Sequence, residues 1–260
     1  MESVDAKLRR AHYHLTDLTK GLLELGREHR PVIVLKSDAQ HVWVVVYFKD
    51  PYAALTYGTV FGDFLYNLRS ALDAMIHALV QKAGGTPNWK TCFPIYENES
   101  SYERKTKQGT KEDVLAGVPV DARRLVKGLQ PFMRGGSSSE LDPLHLLNVL
   151  CNQDKHRATH IMVGYSKEVR FALHRANGEV VHFASEGPLI GHGPWLIPVP
   201  MPVELVEPNH RIQTAGSSDF LLRSDDSWQG RSVLDLAHTL IRYVEEKVIV
   251  QFKPFFERAG

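Results

Sequence analysis

The sequence is short of disulfide partners, of long apolar runs and of net charge. Cysteine occurs twice in 260 residues, at Cys92 and Cys151, without the short spacing of a zinc knuckle or redox pair. No disulfide framework is expected, which points to a reducing, cytoplasmic setting. No stretch approaches the roughly 20 consecutive apolar residues of a membrane span, and the charged opening MESVDAKLRRAHYHL lacks the apolar centre of a signal peptide. No membrane partner is expected. With 31 basic and 30 acidic residues, the net charge is +1. That argues against a general electrostatic footprint for nucleic acid and leaves room only for a local basic patch.

Familiar chemical signatures are missing as well. There is no G-x-G-x-x-G, phosphate loop, G-x-S-x-G or H-E-x-x-H. Dinucleotide enzymes, nucleoside triphosphatases, serine hydrolases and zincins lose their usual support, and no cofactor is implied.

What is present is patterned. Apolar residues make up 43% and charged residues 23%, ordinary for a globular chain. We expect a single α+β domain over residues 1–260. Four main helices are read at about 4–27, 51–83, 142–160 and 232–257, with an early β-hairpin and a β-rich insertion at about 161–223 before the C-terminal helix. In the first helix Leu8, Ala11, Leu15, Leu18, Leu22 and Leu25 alternate spacings of three and four, a narrow packing stripe. The second opens on Asp50-Pro51 and stops at Gly84-Gly85. The third starts with Asp142-Pro143, the fourth with Ser232 and Asp235 at capping-box spacing. PVIVL and HVWVVVYF flank KSDAQ as a hairpin, and Asn177-Gly178 supplies the positive φ angles of a two-residue turn for a second one. Residues 97–113, ENESSYERKTKQGTKED, and the stretch RGGSSSE read as polar surface loops.

The third helix carries a charge in its apolar stripe. On a helical wheel Asp154 lies about 20° from Leu147. A lone carboxylate there is costly, so it needs a cation or hydrogen-bond donors. On the second helix Arg69 lies about 40° and Asp73 about 80° from Leu65, and the two are one turn apart. The spacing predicts a buried polar network of Arg69, Asp73 and Asp154, because a planar guanidinium can serve two carboxylates. His145, Asn152, His156 and His160 fall on the other side of the third helix as a second polar group.

The stretches GDFLYNLRSALD (Gly62–Asp73), FPI (Phe93–Ile95), LQPF (Leu129–Phe132) and NQDKHR (Asn152–Arg157) resemble, in that order, a bacterial family with the patterns G-D-x-x-x-N-L-R-S-A-L-D and N-x-D-K-H-R. The resemblance covers the helical part and implies no activity. The helical arrangement also looks like HEPN domains, bundles frequent among metal-independent ribonucleases, whose active motif is an arginine followed at short range by a histidine. Here seven residues separate Arg69 from His77 and two separate Arg157 from His160. Neither spacing matches that motif.

The preferred expectation is a non-enzymatic binding or accessory module. Trp43, Trp89 or Trp195, if exposed, would support a contact surface, with core packing the plainer role for each, and the leucine stripe of the first helix suits a homodimer as well as the core. The alternative is an RNA-acting enzyme resembling a metal-independent ribonuclease. It would draw acid–base chemistry from His77 or His156 and hold phosphate with Lys155 and Arg157. A weaker alternative is a metal site on the i, i+4 pairs Asp73/His77 and His156/His160, completed by His145, His174, His182 or His192. RNA or a protein is the expected partner. The plainest role for the Arg69–Asp73–Asp154 network is to set helix register.

Overall fold

A computed structural model describes residues 1–50, 52–134, 142–156, 160–189, 193–201, 203, 211–215, 219–223 and 230–257. The fold is α+β with an early β-hairpin. Helix α1 (Glu2–Glu28) buries Val4, Ala11, Leu15, Leu18 and Leu22. Leu8 and Leu25, the other leucines of the stripe, are half-buried.

Strands β1 (Val32–Ser37) and β2 (Val42–Tyr47) pair antiparallel. Between them the Asp38 carboxylate accepts the N–H groups of Gln40 and His41 at 2.7 and 2.8 Å. Those bonds hold its carboxyl below the ordinary range. Helix α2 (Thr56–Lys82) begins later than Pro51. Asp50 accepts the Tyr52 N–H at 2.9 Å and the Leu55 N–H donates to the Tyr52 carbonyl, so turns precede the helix. It stops at the glycines. Gly84 has φ +79°, and the Gly85 N–H reaches back to the Val80 carbonyl at 2.9 Å, a Schellman end.

Residues 97–113 are not the polar surface loop expected from composition. They contain helix α3 (Glu99–Thr106), whose first turn is capped by the Asn98 side chain on the Ser101 N–H at 2.9 Å. Tyr102 and Thr106, one turn apart, are buried, and so is Asp113. Helix α4 (Val120–Gly128) and a 3-10 turn (Pro131–Arg134) follow. Beyond Arg134, the stretch RGGSSSE lies outside the described residues. Helix α5 (Pro143–His156) starts where Asp142 accepts the N–H groups of Leu144 and His145; residues 157–159 lie outside the description.

Strand β3 (His160–His174) pairs first with β7 (Asp219–Arg223), then with β4 (Val180–Leu189) and β6 (Arg211–Ala215). The β3–β4 turn is longer than expected. Arg175 N–H donates to the Glu179 carbonyl and Gly178 N–H to the Arg175 carbonyl, which leaves three residues between the closing pair. Only Gly178 has positive φ, +86°, the left-handed position of a three-residue hairpin loop. Strand β5 (Trp195–Pro198) joins the early hairpin, giving the order β1-β2-β5. Its proline suits that edge place. Helix α6 (Val233–Arg242), a π-helical stretch (Tyr243–Ile249) and α7 (Val250–Glu257) form the C-terminal helix.

The chain divides into two compact units. One holds Met1–Leu18, Thr59–Thr159 and Leu236–Gly260; the other holds Thr19–Gly58 and His160–Asp235. The first is helical. The second contains every described strand, because β2 pairs with β5 and so ties the early hairpin to the later β region. Among the described residues no helix is long and apolar enough to cross a membrane.

Candidate functional site

The polar side of α2 serves one short segment. Arg69, Asp73 and His77 follow one another at steps of four, a spacing that places them on one side of the helix. Residues 91–96, TCFPIY, are outside helix and strand, so their backbone groups need other partners. His77 Nε2 donates to the Thr91 carbonyl at 2.8 Å, which puts the ring proton on that nitrogen. Asp73 accepts the Phe93 N–H at 2.9 Å, and Arg69 donates to the Phe93 carbonyl at 2.6 Å. Arg69 and Asp73 also face each other at 3.5 Å. The segment therefore runs antiparallel to α2, gripped at successive turns.

Gln130 continues the grip. It is wholly buried, donates to the Pro94 carbonyl at 2.9 Å and accepts the Tyr96 N–H at 3.0 Å. A second bond, to the Val126 carbonyl at 3.0 Å, anchors it to α4. The GDFLYNLRSALD, FPI and LQPF stretches thus meet in one hydrogen-bonded arrangement.

Arg69 forms an ion pair with Asp73, and Asp154 and Arg69 both lie near Cys151. The Asp154 carboxylate lies against Gly62, where an added Cβ would fall 2.5 Å from either oxygen. Gly62 is seven residues before Arg69, about 10 Å along the helix. Asp73 and Asp154 are half-buried, not buried.

Cys151 lies among these charges and is 7% exposed. Burial pushes its thiol up to about 12, against the smaller pull of Arg69 and Lys155. Burial, helped by Asp73, also raises Cys92. Burial thus favours the protonated thiol at both positions.

Lys155 is exposed at the end of α5. Arg157, His192 and the side chains of His156 and His160 lie outside the described residues. His145, expected on a polar side of the helix, is buried with Nδ1 3.4 Å from Glu97 Oε1, because the segment around Glu97 covers that side. His174 Nε2 sits 3.1 Å from Gln213 Oε1 on the neighbouring strand, and His182 is exposed on β4. Among the described residues no three His, Cys, Asp or Glu side chains converge as a metal site. Asp73 and His77 address the backbone of residues 91–93 instead.

Sequence reasoning passed over a buried ion pair. Arg123 meets both carboxylate oxygens of Asp113 at 3.0 and 3.1 Å, and donates to the carbonyls of Leu115 and Thr106. Asn98 as a cap and the Tyr102/Thr106 spacing were the available signals for this region. Of the three tryptophans named, Trp43 and Trp195 are half-buried, whereas Trp89 is 89% exposed. Its turn is tied down: the Asn88 side chain accepts the Lys90 N–H at 2.8 Å and the Thr91 hydroxyl accepts the Asn88 N–H at 3.0 Å. The Lys90 ammonium lies 5.0 Å from the Trp89 ring centroid and donates to the Lys111 carbonyl. Comparison of the chain with protein-family models, with curated proteins and with solved structures returns no match.

Proposed function

We propose that this chain is a cytoplasmic, non-enzymatic binding module whose helical unit, read as a HEPN-like bundle without the nuclease motif, holds a rigid turn that offers Trp89 to a partner. The observation that carries this reading is the exposure of Trp89 on a turn bonded at Asn88, Lys90 and Thr91. Tryptophan is the residue most enriched at binding hot spots, and a preorganised turn lowers the ordering cost of association. His77 supports the same reading. Its Nε2–H is committed to the Thr91 carbonyl, so it acts as a clamp on the segment behind the turn.

A photo-crosslinking residue at position 89 of the full chain, used in cells, tests the proposal. A discrete adduct to one macromolecule is expected, suppressed by excess wild-type chain. Labelling no stronger than from position 196, whose leucine is 61% exposed, counts against it. Cleavage of an RNA panel by the wild type and not by His77→Gln would favour the enzymatic alternative instead.

A further inference from the structure

A groove of about 480 Å³ lies between α4 and the C-terminal helix, within the helical unit. Three cations line it, Arg124, Arg134 and Lys247, and among the described residues no carboxylate does. We infer that it is a binding site for a small organic anion, one with a phosphate or carboxylate head and an apolar body. This site is separate from Trp89 and does not depend on the reading above.

The head would meet Lys247, together with two arginines that share carboxylates outside the lining. Arg134 is fixed in advance: one guanidinium nitrogen donates to Asp142 at 2.6 Å, another to the Leu129 carbonyl at 3.0 Å, and the group stacks 4.9 Å from the Tyr243 ring centroid. Arg124 is held on the rim by Asp121 at 3.0 Å. Lys247 makes no ion pair among the described residues, which leaves its charge for a ligand. Gln251 and Tyr243 complete the polar lining. Burial raises the Tyr243 hydroxyl above its ordinary range, so it stays protonated and can donate.

The body would meet Leu125, Leu129 and the tyrosine ring. The volume lies within the roughly 300–1,000 Å³ of ordinary small-molecule sites. A helix C-terminus normally disfavours an anion. Here most of the last carbonyls are already paired: those of Leu125, Val126 and Lys127 accept from Leu129, Gln130 and Gln130, and the following Leu129 carbonyl accepts from Arg134.

The local backbone is a second, independent indication. Tyr243–Ile249 is π-helical, a conformation rare in proteins and frequent at functional sites. Tyr243, Lys247 and Gln251 would spread over about 80° on a straight α-helix. With the π stretch between them, all three line the one groove.

Calorimetric titration of the full chain with phenyl phosphate, phenylacetate and inorganic phosphate tests the assignment. Saturable binding of phenyl phosphate or phenylacetate is expected, and whichever binds tighter identifies the head group. Lys247→Gln and Arg124→Gln should each weaken it about tenfold, the effect of one charge-assisted hydrogen bond. Lys127→Gln should not, because that ammonium belongs to Glu99 and Glu103. Arg134 is left in place, since its loss would strand the buried Asp142. The assignment fails if neither organic probe saturates, if inorganic phosphate binds as tightly as phenyl phosphate, or if Lys247→Gln and Arg124→Gln, folded by circular dichroism, bind like the wild type.

Discussion

The carboxylate of Asp154 occupies the space that a side chain at position 62 would need, 2.5 Å from where the Cβ would lie. Glycine inside a helix costs about 1 kcal/mol relative to alanine. At Gly62 that cost is offset by the close approach of α5, and so the G-D-x-x-x-N and N-x-D-K-H-R stretches touch although they lie far apart in the chain.

Gly62→Ala is therefore expected to lower stability by about 1–3 kcal/mol, the range for overpacking, in spite of alanine's better helix propensity. Asp154→Ala removes the obstruction, so the double variant should lose less than the sum of the single losses. A double-mutant cycle by urea denaturation measures this coupling. Strict additivity would show that the two positions do not meet.

Asp73→Ala takes the acceptor from the Phe93 N–H and the counter-charge from Arg69. The site is half-buried, and a loss of about 1–3 kcal/mol is expected. Asp73→Asn keeps an acceptor oxygen and should lose less. Hydrogen exchange gives the specific readout: the Phe93 amide should lose protection in Asp73→Ala while amides inside α1 keep theirs. Unchanged protection at Phe93 would remove Asp73 from the clamp.

Asp113 and Glu112 are adjacent carboxylates with opposite consequences. The Asp113 side chain is 4% exposed and bidentate with Arg123, whose side chain is 12% exposed. Asp113→Ala strands that guanidinium and should cost about 3–5 kcal/mol. Glu112 pairs with Lys105 in solvent, and Glu112→Ala should change little. Equal denaturation midpoints for the two variants would contradict the burial of the Arg123–Asp113 pair.

Stability should fall at alkaline pH. Burial raises the thiols of Cys92 and Cys151 above their ordinary 9.0, Cys151 to about 12. It also raises the phenols of Tyr96, Tyr102, Tyr165 and Tyr243 above 10.0. As pH rises the unfolded chain releases these protons first, which favours unfolding. The thiol and phenol contributions are thus intact below about 9 and decline as pH climbs towards the folded-state values. Denaturation midpoints measured across this interval should fall, with less slope in Cys151→Ser. A flat profile would mean that these groups are open to water.

Helices with a long apolar period and a capping residue were legible in the sequence. Asp142 caps α5 and the glycines after Lys82 end α2, as their local chemistry requires. The segments that escaped were short. Helices α3 and α4 have 8 and 9 residues, too few for a clear period. They are joined to the rest by Arg123, Asp113 and Gln130, whose contacts cross gaps that no spacing rule covers. The β3–β4 turn shows a smaller version of the same limit: Asn-Gly announced a reversal, and the pairing of Arg175 with Glu179 set its length.

The sequence by itself determined which side of its own helix each polar residue takes, because α-helical periodicity orients a side chain relative to its backbone. It placed Arg69, Asp73 and His77 along α2 and Asp154 in the stripe of α5. Only the tertiary structure decided what they face: the backbone of residues 91–93 for the first three, Gly62 for Asp154. Partner choice depends on the axial offset at which two helices cross. Here the Asp154 carboxylate lies against a glycine two turns before Arg69.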